Sequence, residues 1–346
     1  MTNLTHNLPH QLTPIIGREK EIGDLIELLK NPEIRLITLH GFGGTGKTRL
    51  ALELGRLAME NFEDGVWFVS LAPLNSADHI LTATASALQF DFGSSVDQKQ
   101  QLFSYLEEKN ILLTFDNIEH LLPEASLFLE ELLQNTHHLR VLVTSRQPLN
   151  TSWEWSFLLR GLDYQDESLE QGETAASTRL FLQHLRREGQ TIGREDTACA
   201  AQISRLVNGL PLALILAASW GRVLGCEEIA GEIRKGIGIL NTRGQRSSDK
   251  HGSMQAVFDY SWRLLSDHER AVLRKLSIFR GGFDRAAANA VAGADLATLA
   301  TLVDQAFIER AEHNRYQIHE LLRQYLHDQL LQAQEEQSTR EAHTDY

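Results

Sequence analysis

Residues 35–48 read Arg-Leu-Ile-Thr-Leu-His-Gly-Phe-Gly-Gly-Thr-Gly-Lys-Thr, an apolar run that leads directly into the pattern Gly-x-x-x-x-Gly-Lys-Thr. The helix-forming run Leu50-Ala-Leu-Glu-Leu54 follows it. A strand, then this pattern, then a helix are typical of a P-loop, in which the backbone wraps the phosphates of a nucleotide. The stretch therefore predicts a phosphate-binding loop at the carboxyl end of a buried strand.

The positions of this loop have predicted roles in holding phosphate and metal. Glycine adopts backbone conformations closed to residues with a Cβ, so successive N–H groups can converge on the phosphates. Lys47 is expected against the β and γ phosphates, and Thr48 can offer its hydroxyl to Mg²⁺ at the start of a helix. The predicted nucleotide-binding residues of the loop are Gly41, Gly43, Gly44, Thr45, Gly46, Lys47, Thr48 and Arg49.

Length and composition narrow the class of protein. The chain has 346 residues and 42% hydrophobic content, enough for about two or three domains. Its 33 Lys and Arg against 46 Asp and Glu give 33 − 46 = −13, which argues against a broad electrostatic surface for nucleic acid or anionic membrane. No apolar run approaches the ~20 residues of a membrane span, and the N-terminus lacks a signal-peptide core. A cytoplasmic protein with no membrane partner is expected.

The two cysteines, Cys199 and Cys226, form no CxxC pattern and have no His or Cys neighbours at metal-ligand spacing. This pattern favours reduced thiols and a cytosolic setting. The sequence contains neither an HExxH motif nor a nucleophile elbow, so these two classes of hydrolase are not indicated.

Strands alternate with helices as far as about residue 160. This alternation predicts a parallel sheet with helices on both faces. The predicted strands are the P-loop strand, Val66–Leu71, Ile111–Phe115, Arg140–Thr144 and Phe157–Leu159. Helices are predicted at Lys20–Lys30, after the P-loop, at Ala77–Leu88, at Asp97–Glu107, and in a segment ending near Gln134.

The pattern changes at the acidic segment Asp163–Glu173. Helical periodicity then dominates, interrupted by the polar, breaker-rich stretch Asn241–Gly252, and two short strands around Glu312-His313-Asn314 follow further helices. Helices followed by a hairpin indicate a winged helix. The predicted organisation is a polar segment 1–13, a P-loop nucleotide-binding domain 14–162, an all-helical domain 163–245, a winged-helix domain 246–334 and a charged tail 335–346.

Asp116 ends an apolar strand, at the sheet edge where α/β proteins bind ligands. Beside a P-loop, such an Asp is expected to hold Mg²⁺ together with Thr48. Asn117 follows it, and because an amide cannot take a proton from an attacking water, slow ATP hydrolysis is expected. Glu119 is a candidate substitute base, and an ordinary surface position on a helix is an equal alternative.

Three further residues are singled out by their positions in the predicted elements. Arg146 follows the strand Arg140–Thr144 at the same sheet edge, where a guanidinium can reach a γ-phosphate and distinguish ATP from ADP. Pro211 is predicted at the first turn of a helix, which tolerates its missing N–H. His319 ends the second predicted wing strand, and an ordinary partly buried histidine explains it when it is taken alone.

The helix predicted at 295–306 occupies the recognition position of the winged helix. It carries two Asp and neither Lys nor Arg, whereas base readout and phosphate contact both need hydrogen-bond donors. The unit is therefore interpreted as a packing module, with no direct nucleic-acid partner.

Together, these stretches resemble the NB-ARC-type STAND ATPases, a class of signal-transduction switches that includes plant resistance proteins and apoptotic scaffolds. The similarity is greatest to bacterial regulators of this class, and it covers nearly the whole chain. It rests on Asn7-Leu8-Pro9 through Glu19, the P-loop with Arg49-Leu50-Ala51, Asp64–Ala72, Leu113–His120, Thr144-Ser145-Arg146, Gly209–Ala213 and Ile318-His319-Glu320.

The resemblance implies roles that the residues alone do not. It implies that ADP is buried between the nucleotide-binding, helical and winged-helix domains at rest. Ile16 and Arg18 would approach the adenine, and Pro211 would pack on the adenine. Arg146 would sense the γ-phosphate of ATP. His319 matches the histidine of the family's Met-His-Asp motif, which contacts the ADP β-phosphate. In such relatives an effector domain usually precedes the Asn-Leu-Pro segment, and a helical-repeat sensor follows the region of Arg340-Glu341-Ala342-His343. Neither is expected in this chain, which fits either an excised switch core or a naturally short protein.

The leading hypothesis is an ATP/ADP switch that is monomeric with ADP, opens when ATP replaces it, and then forms a homo-oligomer. Mg²⁺ is the expected cofactor, and slow hydrolysis would act as a timer. Two alternatives stay open: a constitutively cycling ATPase of the remodeller or clamp-loader kind, and a DNA-binding transcriptional regulator acting through the winged helix. A steady-state turnover assay tests the first alternative, and salt-dependent binding of random duplex tests the second.

Overall fold

The structure is a computed structural model that describes residues 5–93, 97–164, 174–240, 253–311 and 314–346. It divides into two compact units. The first comprises Met1–Gly41 and Gly46–Leu159, and the second comprises Phe42–Thr45 and Arg160–Tyr346. The tip of the P-loop thus belongs to the second unit, although the strand before it and the helix after it belong to the first.

The first unit is built on a parallel sheet with α-helices packed on both of its faces. Its strands are β1 (Leu36–His40), β2 (Val66–Ser70), β3 (Leu112–Asp116), β4 (Arg140–Thr144) and β5 (Glu154–Leu158). They lie in the order β2-β3-β4-β1-β5. Its helices are α1 (Glu19–Lys30), α2 (Lys47–Ala58), α3 (Ile80–Ala87), α4 (Gln98–Leu106) and α5 (Glu124–Gln134). The predicted α/β class is confirmed.

Both faces of this sheet are covered, and its central strands β1 and β3 are buried along their whole length. Ile37 and Leu39 of β1 belong to a core with α1 and α2, whereas Val141 and Val143 of β4 belong to a core with α3, α4 and α5. Successive residues of a strand point to opposite faces, so a strand without polar alternation needs cover on both sides. The strand order places the carboxyl ends of β1, β3 and β4 side by side.

An N-terminal segment extends the sheet beyond β2. His6 forms a parallel bridge with Val66. The Asn7 side chain accepts a hydrogen bond from the Phe68 N–H at 2.6 Å and donates one to the Phe68 carbonyl at 2.9 Å. These contacts cover the β2 edge, whereas β5 ends the sheet on the other side with Trp155 49% exposed.

The described residues of the second unit are helical apart from the wing and its connecting segments. Its helices are α6 (Ala176–Arg187), α7 (Arg194–Leu206), α8 (Pro211–Ala218), α9 (Cys226–Lys235), α10 (Met254–Arg263), α11 (Asp267–Leu276), α12 (Arg285–Ala292), α13 (Leu296–Asp304), α14 (Glu320–Gln332) and α15 (Glu336–Asp345). Strands β6 (Glu309–Arg310) and β7 (Tyr316–Gln317) form an antiparallel pair. The predicted winged helix is confirmed.

Several predicted segments differ from the structure or lie outside it. The charged tail contains a helix, α15, in which Glu336 and Arg340 pair one turn apart at 2.6 Å. The predicted linker Asn241–Gly252, residues 165–173 of the acidic segment, and residues 312 and 313 of the wing lie outside the described residues.

One hydrophobic core runs through the second unit. It includes Phe181 and Leu214 of the predicted helical domain together with Phe258, Leu302 and Leu326 of the predicted winged-helix domain. All five side chains are buried. The three-domain division proposed from the sequence, with a boundary at 245, therefore stays a prediction.

The prediction of two reduced cysteines is wrong. Cys199 of α7 and Cys226 of α9 form a disulfide with their Cα atoms 6.1 Å apart, and both residues are buried. Helices α7 and α9 pack against each other, which brings together two residues separated by 27 positions. Disulfide formation depends on this spatial approach, which sequence spacing does not reveal.

Membrane-spanning helices were predicted to be absent. In the part of the chain that the structure describes, no single helix is long and apolar enough to cross a membrane. Helices α12 and α13 meet the length and composition criteria only as a pair, and they are bent by 106°.

Candidate functional site

Asp116 is the centre of a hydrogen-bonded cluster at the carboxyl edge of the sheet. The Thr48 hydroxyl donates to Asp116 Oδ1 at 2.6 Å, and the Thr144 hydroxyl donates to the same oxygen at 2.7 Å. Thr48 is the second residue of α2, while Asp116 and Thr144 end the neighbouring strands β3 and β4. Hydroxyl and carboxylate oxygens are ligands that Mg²⁺ prefers. Thr48 and Asp116 thus fit the predicted metal site, and their role there stays a prediction.

Lys47 lies folded over the base of its own loop. Its Nζ donates to the Gly41 carbonyl at 2.7 Å. Burial of the amine, and secondarily the nearby Arg146 cation, lower the pKa of Lys47 to about 8, while Glu119 and Asp116 act in the opposite direction. A charged amine at the base of a P-loop supplies the positive charge that phosphate oxygens need.

Arg146 has a buried carboxylate partner. Its Nε donates to Glu119 Oε1 at 3.2 Å, and the two side chains are only 13% and 3% exposed. Glu119 lies in a short 3-10 turn, Glu119–Leu121, so the alternative of a surface helix position is wrong. Because its carboxylate holds the guanidinium, Glu119 is arranged as a partner of Arg146 more than as a base facing water.

Asn117 is held by its backbone conformation and by β4. Its φ of 67° lies in the left-handed region, which Asn adopts more readily than most residues. Its N–H donates to the Thr144 hydroxyl at 3.0 Å, and its amide lies 3.3 Å from His120 Nδ1. The side chain therefore contacts His120, and the chain offers no second acid at this position.

The residues predicted near the adenine and at the start of α2 have protein partners in the first unit. Arg18 is buried, and its Nη1 donates to Glu21 Oε1 at 2.5 Å. Arg49 donates from Nη2 to both the carbonyl and the hydroxyl oxygen of Thr13, so it fastens α2 to the N-terminal segment. Ile16 is partly buried beside Arg18. Their predicted nucleotide contacts stay predictions.

The tip of the loop has different neighbours, all in the second unit. The Gly44 carbonyl accepts a hydrogen bond at 3.2 Å from the N–H of Leu212, the second residue of α8. The Phe42 ring packs on Phe258 and Phe307, with ring centroids 5.4 and 6.4 Å away. The sequence did not predict these contacts, because the motif leaves the positions between its first two fixed glycines unspecified.

Two glycines are required by the close approach of other atoms. A Cβ on Gly44, where φ is +84°, would lie 2.9 Å from the Leu212 Cβ. A Cβ on Gly41, where φ is +141°, would lie 2.5 Å from the Leu159 carbonyl oxygen. Both distances are shorter than carbon atoms tolerate, so these positions admit only glycine without movement of their neighbours. Gly43, Thr45 and Gly46 complete the predicted phosphate-binding loop.

His319 uses both of its ring nitrogens inside the second unit. It caps α14, where Nδ1 accepts a hydrogen bond from the Leu321 N–H at 3.2 Å, and Nε2 lies 2.9 Å from the Val207 carbonyl. Because a carbonyl only accepts, Nε2 carries the proton in this arrangement. Burial lowers the pKa of His319 to about 4, so the ring is neutral at physiological pH. The ring also stacks on Phe42, with centroids 6.4 Å apart and an interplanar angle of 13°.

Comparisons with known protein families agree with this arrangement. Residues 18–150 match the NB-ARC domain, and residues 265–331 match a winged helix-turn-helix domain. This chain contains an NB-ARC domain. The resemblance to the NB-ARC type is confirmed, and NB-ARC proteins are nucleotide-binding proteins with a P-loop.

Relatives of the NB-ARC chain include two proteins from Mycobacterium tuberculosis. The "Uncharacterized protein Rv0894" is 28% identical over 97% of this chain and 86% of its own length. The "Putative HTH-type transcriptional regulator Rv0890c" is 30% identical over 86% of this chain and 34% of its own length. Among solved structures, a STAND protein with a tetratricopeptide repeat sensor from Pyrococcus horikoshii aligns with a TM-score of 0.41 and 15% identity, over 99% of this chain and 46% of its own.

This chain therefore spans about a third of the transcriptional regulator and under half of the STAND structure. The expectation of no nucleic-acid partner gains no support from these matches, since one matched domain is a winged helix-turn-helix. The roles assigned to individual residues from the sequence remain predictions, although the structure brings Lys47, Thr48, Asp116 and Arg146 to one sheet edge.

Proposed function

We propose that the NB-ARC chain is an ATP/ADP-dependent conformational switch of signal transduction with slow ATP hydrolysis. The observation that carries this proposal is the buried Arg146–Glu119 pair beside Lys47. A guanidinium already paired with a carboxylate can exchange that partner for a γ-phosphate, which is present in ATP and missing in ADP. The exchange gives the two nucleotides different interaction energies, as a switch requires.

Binding would use the residues at the base of the loop. Lys47 would neutralise the β and γ phosphates, and Thr48 with Asp116 would hold Mg²⁺. When bound, Mg²⁺ would supply charge neutralisation between the phosphates. For Thr48 and Asp116 to bind the metal, their mutual hydrogen bond must give way, because the hydroxyl proton now points at the carboxylate.

The ADP-bound form would be stabilised by Pro211 and His319. To donate to a β-phosphate, His319 Nε2–H must leave the Val207 carbonyl. The ring is neutral, so this is an exchange of one hydrogen-bond acceptor for another and does not depend on a change of charge. ATP would favour a second form that self-assembles, and ADP would favour the monomer.

Asn117 favours the switch over a constitutively cycling ATPase. With Asn117 directed to His120 and Glu119 paired with Arg146, neither side chain is arranged to take a proton from water. Turnover is therefore expected to be slow. Steady-state turnover comparable to that of remodelling ATPases, on the order of 1 per second or faster, would support the cycling alternative.

The direct experiment is to release and identify the nucleotide that copurifies with the protein, and then to measure ADP release and assembly in His319→Ala. The switch predicts bound ADP in a monomer, faster ADP release in the variant, and more oligomer with ATP. An unchanged release rate together with an unchanged monomer would contradict the role given to His319.

The matched winged helix and the regulator-type relative leave DNA binding as an alternative. Helix α13 carries Asp304 and no Lys or Arg, so it offers no cation to phosphates. Binding of random DNA duplex that weakens steeply with salt would nevertheless establish DNA binding. If the chain does not bind duplex even at low salt, this alternative is excluded.

A further inference from the structure

Phe42 is the one aromatic residue of the P-loop, and its ring takes part in no chemistry that phosphates need. Phosphates are bound by backbone N–H groups and by Lys47, while a phenyl ring offers neither a donor nor a charge. The ring instead belongs to the hydrophobic core of the second unit. The residue is therefore placed to connect the loop with that core.

The surroundings of Phe42 form an aromatic socket, defined here as Phe258 of α10, Phe307 before β6, and His319 at the start of α14. Phe258 and Phe307 are 0% and 4% exposed. Their rings meet Phe42 at interplanar angles of 53° and 78°, whereas His319 is stacked at 13°. Tilted, edge-on and offset-stacked contacts are the favourable geometries of aromatic pairs. All three socket residues lie in the predicted winged-helix domain 246–334, and Phe307 and His319 also lie within the matched winged helix-turn-helix region.

Two hydrogen bonds hold the backbone of the tip at Phe42 and at Gly44. The Thr45 hydroxyl donates to the Phe42 carbonyl at 2.9 Å, and the Leu212 N–H donates to the Gly44 carbonyl at 3.2 Å. A rigid tip cannot move its backbone without moving the Phe42 ring. Since packed interiors respond to small displacements by rearranging, a change in the tip reaches the socket directly.

We infer that Phe42 is a positioning residue that couples the conformation of the phosphate-binding loop to the winged helix through the aromatic socket. The inference rests on the proposed switch and adds a second connection to it, one that does not pass through a hydrogen bond to the nucleotide. The coupling is reciprocal. A nucleotide that favours this loop conformation stabilises the socket, and the socket stabilises binding of that nucleotide by the same factor.

The test is ADP dissociation from the full chain carrying Phe42→Ala or Phe42→Leu. Alanine removes the ring, and leucine keeps most of the apolar volume without the aromatic geometry. We expect ADP release to be fastest from Phe42→Ala, slower from Phe42→Leu and slowest from wild type. The Ala variant should release ADP on the order of tenfold faster than wild type. Binding of ATP is expected to change far less, because the ATP-bound form does not need the socket closed.

The matched control is Phe279→Ala. Phe279 packs on Phe283 and His343 in the same unit and makes no described ring contact with the P-loop. Both substitutions remove a partly buried ring, so both lower the melting temperature. Only Phe42→Ala is expected to reduce the additional stabilisation that ADP provides, since a purely structural loss lowers stability equally with and without ADP.

The outcomes separate this inference from the proposed function. If His319→Ala speeds ADP release while Phe42→Ala and Phe42→Leu release ADP at the wild-type rate, the coupling through Phe42 is overturned and the switch stands. If the wild-type chain binds ADP and ATP without any difference in release or assembly, the switch fails. If Phe42→Ala does not fold, the Leu variant decides, because an unchanged ADP-induced shift in melting temperature contradicts the coupling.

Discussion

The base and the tip of one short loop lie in chemically opposite surroundings. At the base, Lys47 meets a carbonyl oxygen and Thr48 meets the carboxylate of Asp116. At the tip, Phe42 meets three rings, and Gly44 meets a backbone amide. Polar groups at the base can bind charged phosphates, whereas the apolar contacts at the tip depend on how the neighbouring side chains pack. If the proposed switch is correct, substitutions at the base should change nucleotide binding, and substitutions at the tip should change its coupling to the rest of the chain.

The largest effect is expected from removing the charge at the base. Lys47→Ala should weaken ADP binding on the order of a hundredfold, because charge-assisted hydrogen bonds to phosphate are lost. Isothermal titration calorimetry with ADP measures this. Lys109→Ala is the control, since Lys109 pairs with Asp64 on the surface at 2.7 Å. If both variants bind ADP like wild type, the base does not hold the phosphates.

Substitutions of the two partners in the buried Arg146–Glu119 pair should change the ATP affinity relative to ADP in opposite directions. Arg146→Gln should lower ATP affinity relative to ADP by on the order of tenfold, because the guanidinium that would meet the γ-phosphate is gone. Glu119→Gln should raise the same ratio several-fold, roughly three to five, because Arg146 loses its competing partner. Dissociation constants for ATP and ADP in each variant provide the comparison. Shifts in the same direction would show that Arg146 does not exchange partners.

The pKa of Lys47 makes binding at the base depend on pH. Only the protonated amine binds phosphate well, and burial places its pKa at about 8 in the free protein. ADP affinity should therefore fall by about tenfold as the pH rises from ~7 to ~9. Titrations across this range measure the effect. A flat profile would mean that Lys47 stays charged throughout, or that it does not meet the phosphates.

The smallest expected effect is the contribution of His319, which stacks on Phe42, to the pH dependence of folding stability. Burial lowers the His319 pKa to about 4 from 6.5, so between these values the unfolded chain binds a proton that the folded chain does not. The contribution of neutral, buried His319 to stability is complete above the pKa of the unfolded chain. It is lost as the pH falls towards the pKa of the folded chain. Between pH ~7 and ~5.5 it should decrease by about 1 kcal/mol.

Urea unfolding of wild type and His319→Gln at these pH values isolates that contribution. The pKa values of His40 and His184 are also lowered by burial, and both residues are present in both proteins. The difference between the two pH slopes therefore belongs to His319. Coincident slopes would show that its ring is not buried in the neutral form.

The sequence predicted the base of the loop much better than its tip. Strand β4 has the predicted bounds Arg140–Thr144, and Asp116 and Arg146 lie at the predicted sheet edge. These features follow from local patterns: apolar runs, glycine spacing, and the rule that parallel strands end at the same edge. Phe42 occupies a variable motif position, and its ring packs on a residue more than two hundred positions away.

The contrast between local patterns and long-range packing also explains the other differences between the sequence predictions and the structure. The Glu119–Arg146 pair joins residues 27 positions apart, and the Cys199–Cys226 disulfide spans the same separation. Neither pair has a short-range pattern, because each depends on how two elements meet in space. Helix and strand periodicity indicates which elements exist, while tertiary packing decides which of their side chains become partners.

The Asn7 side chain bonds to the backbone of Phe68, and His6 pairs with Val66, so the two residues close the outer edge of β2. An open strand edge recruits further chains by strand addition. A chain shortened to begin after Asn7 would therefore aggregate edge to edge whatever nucleotide was present, and in a light-scattering experiment this would imitate nucleotide-driven oligomers. Samples prepared for such experiments therefore need His6 and Asn7 intact.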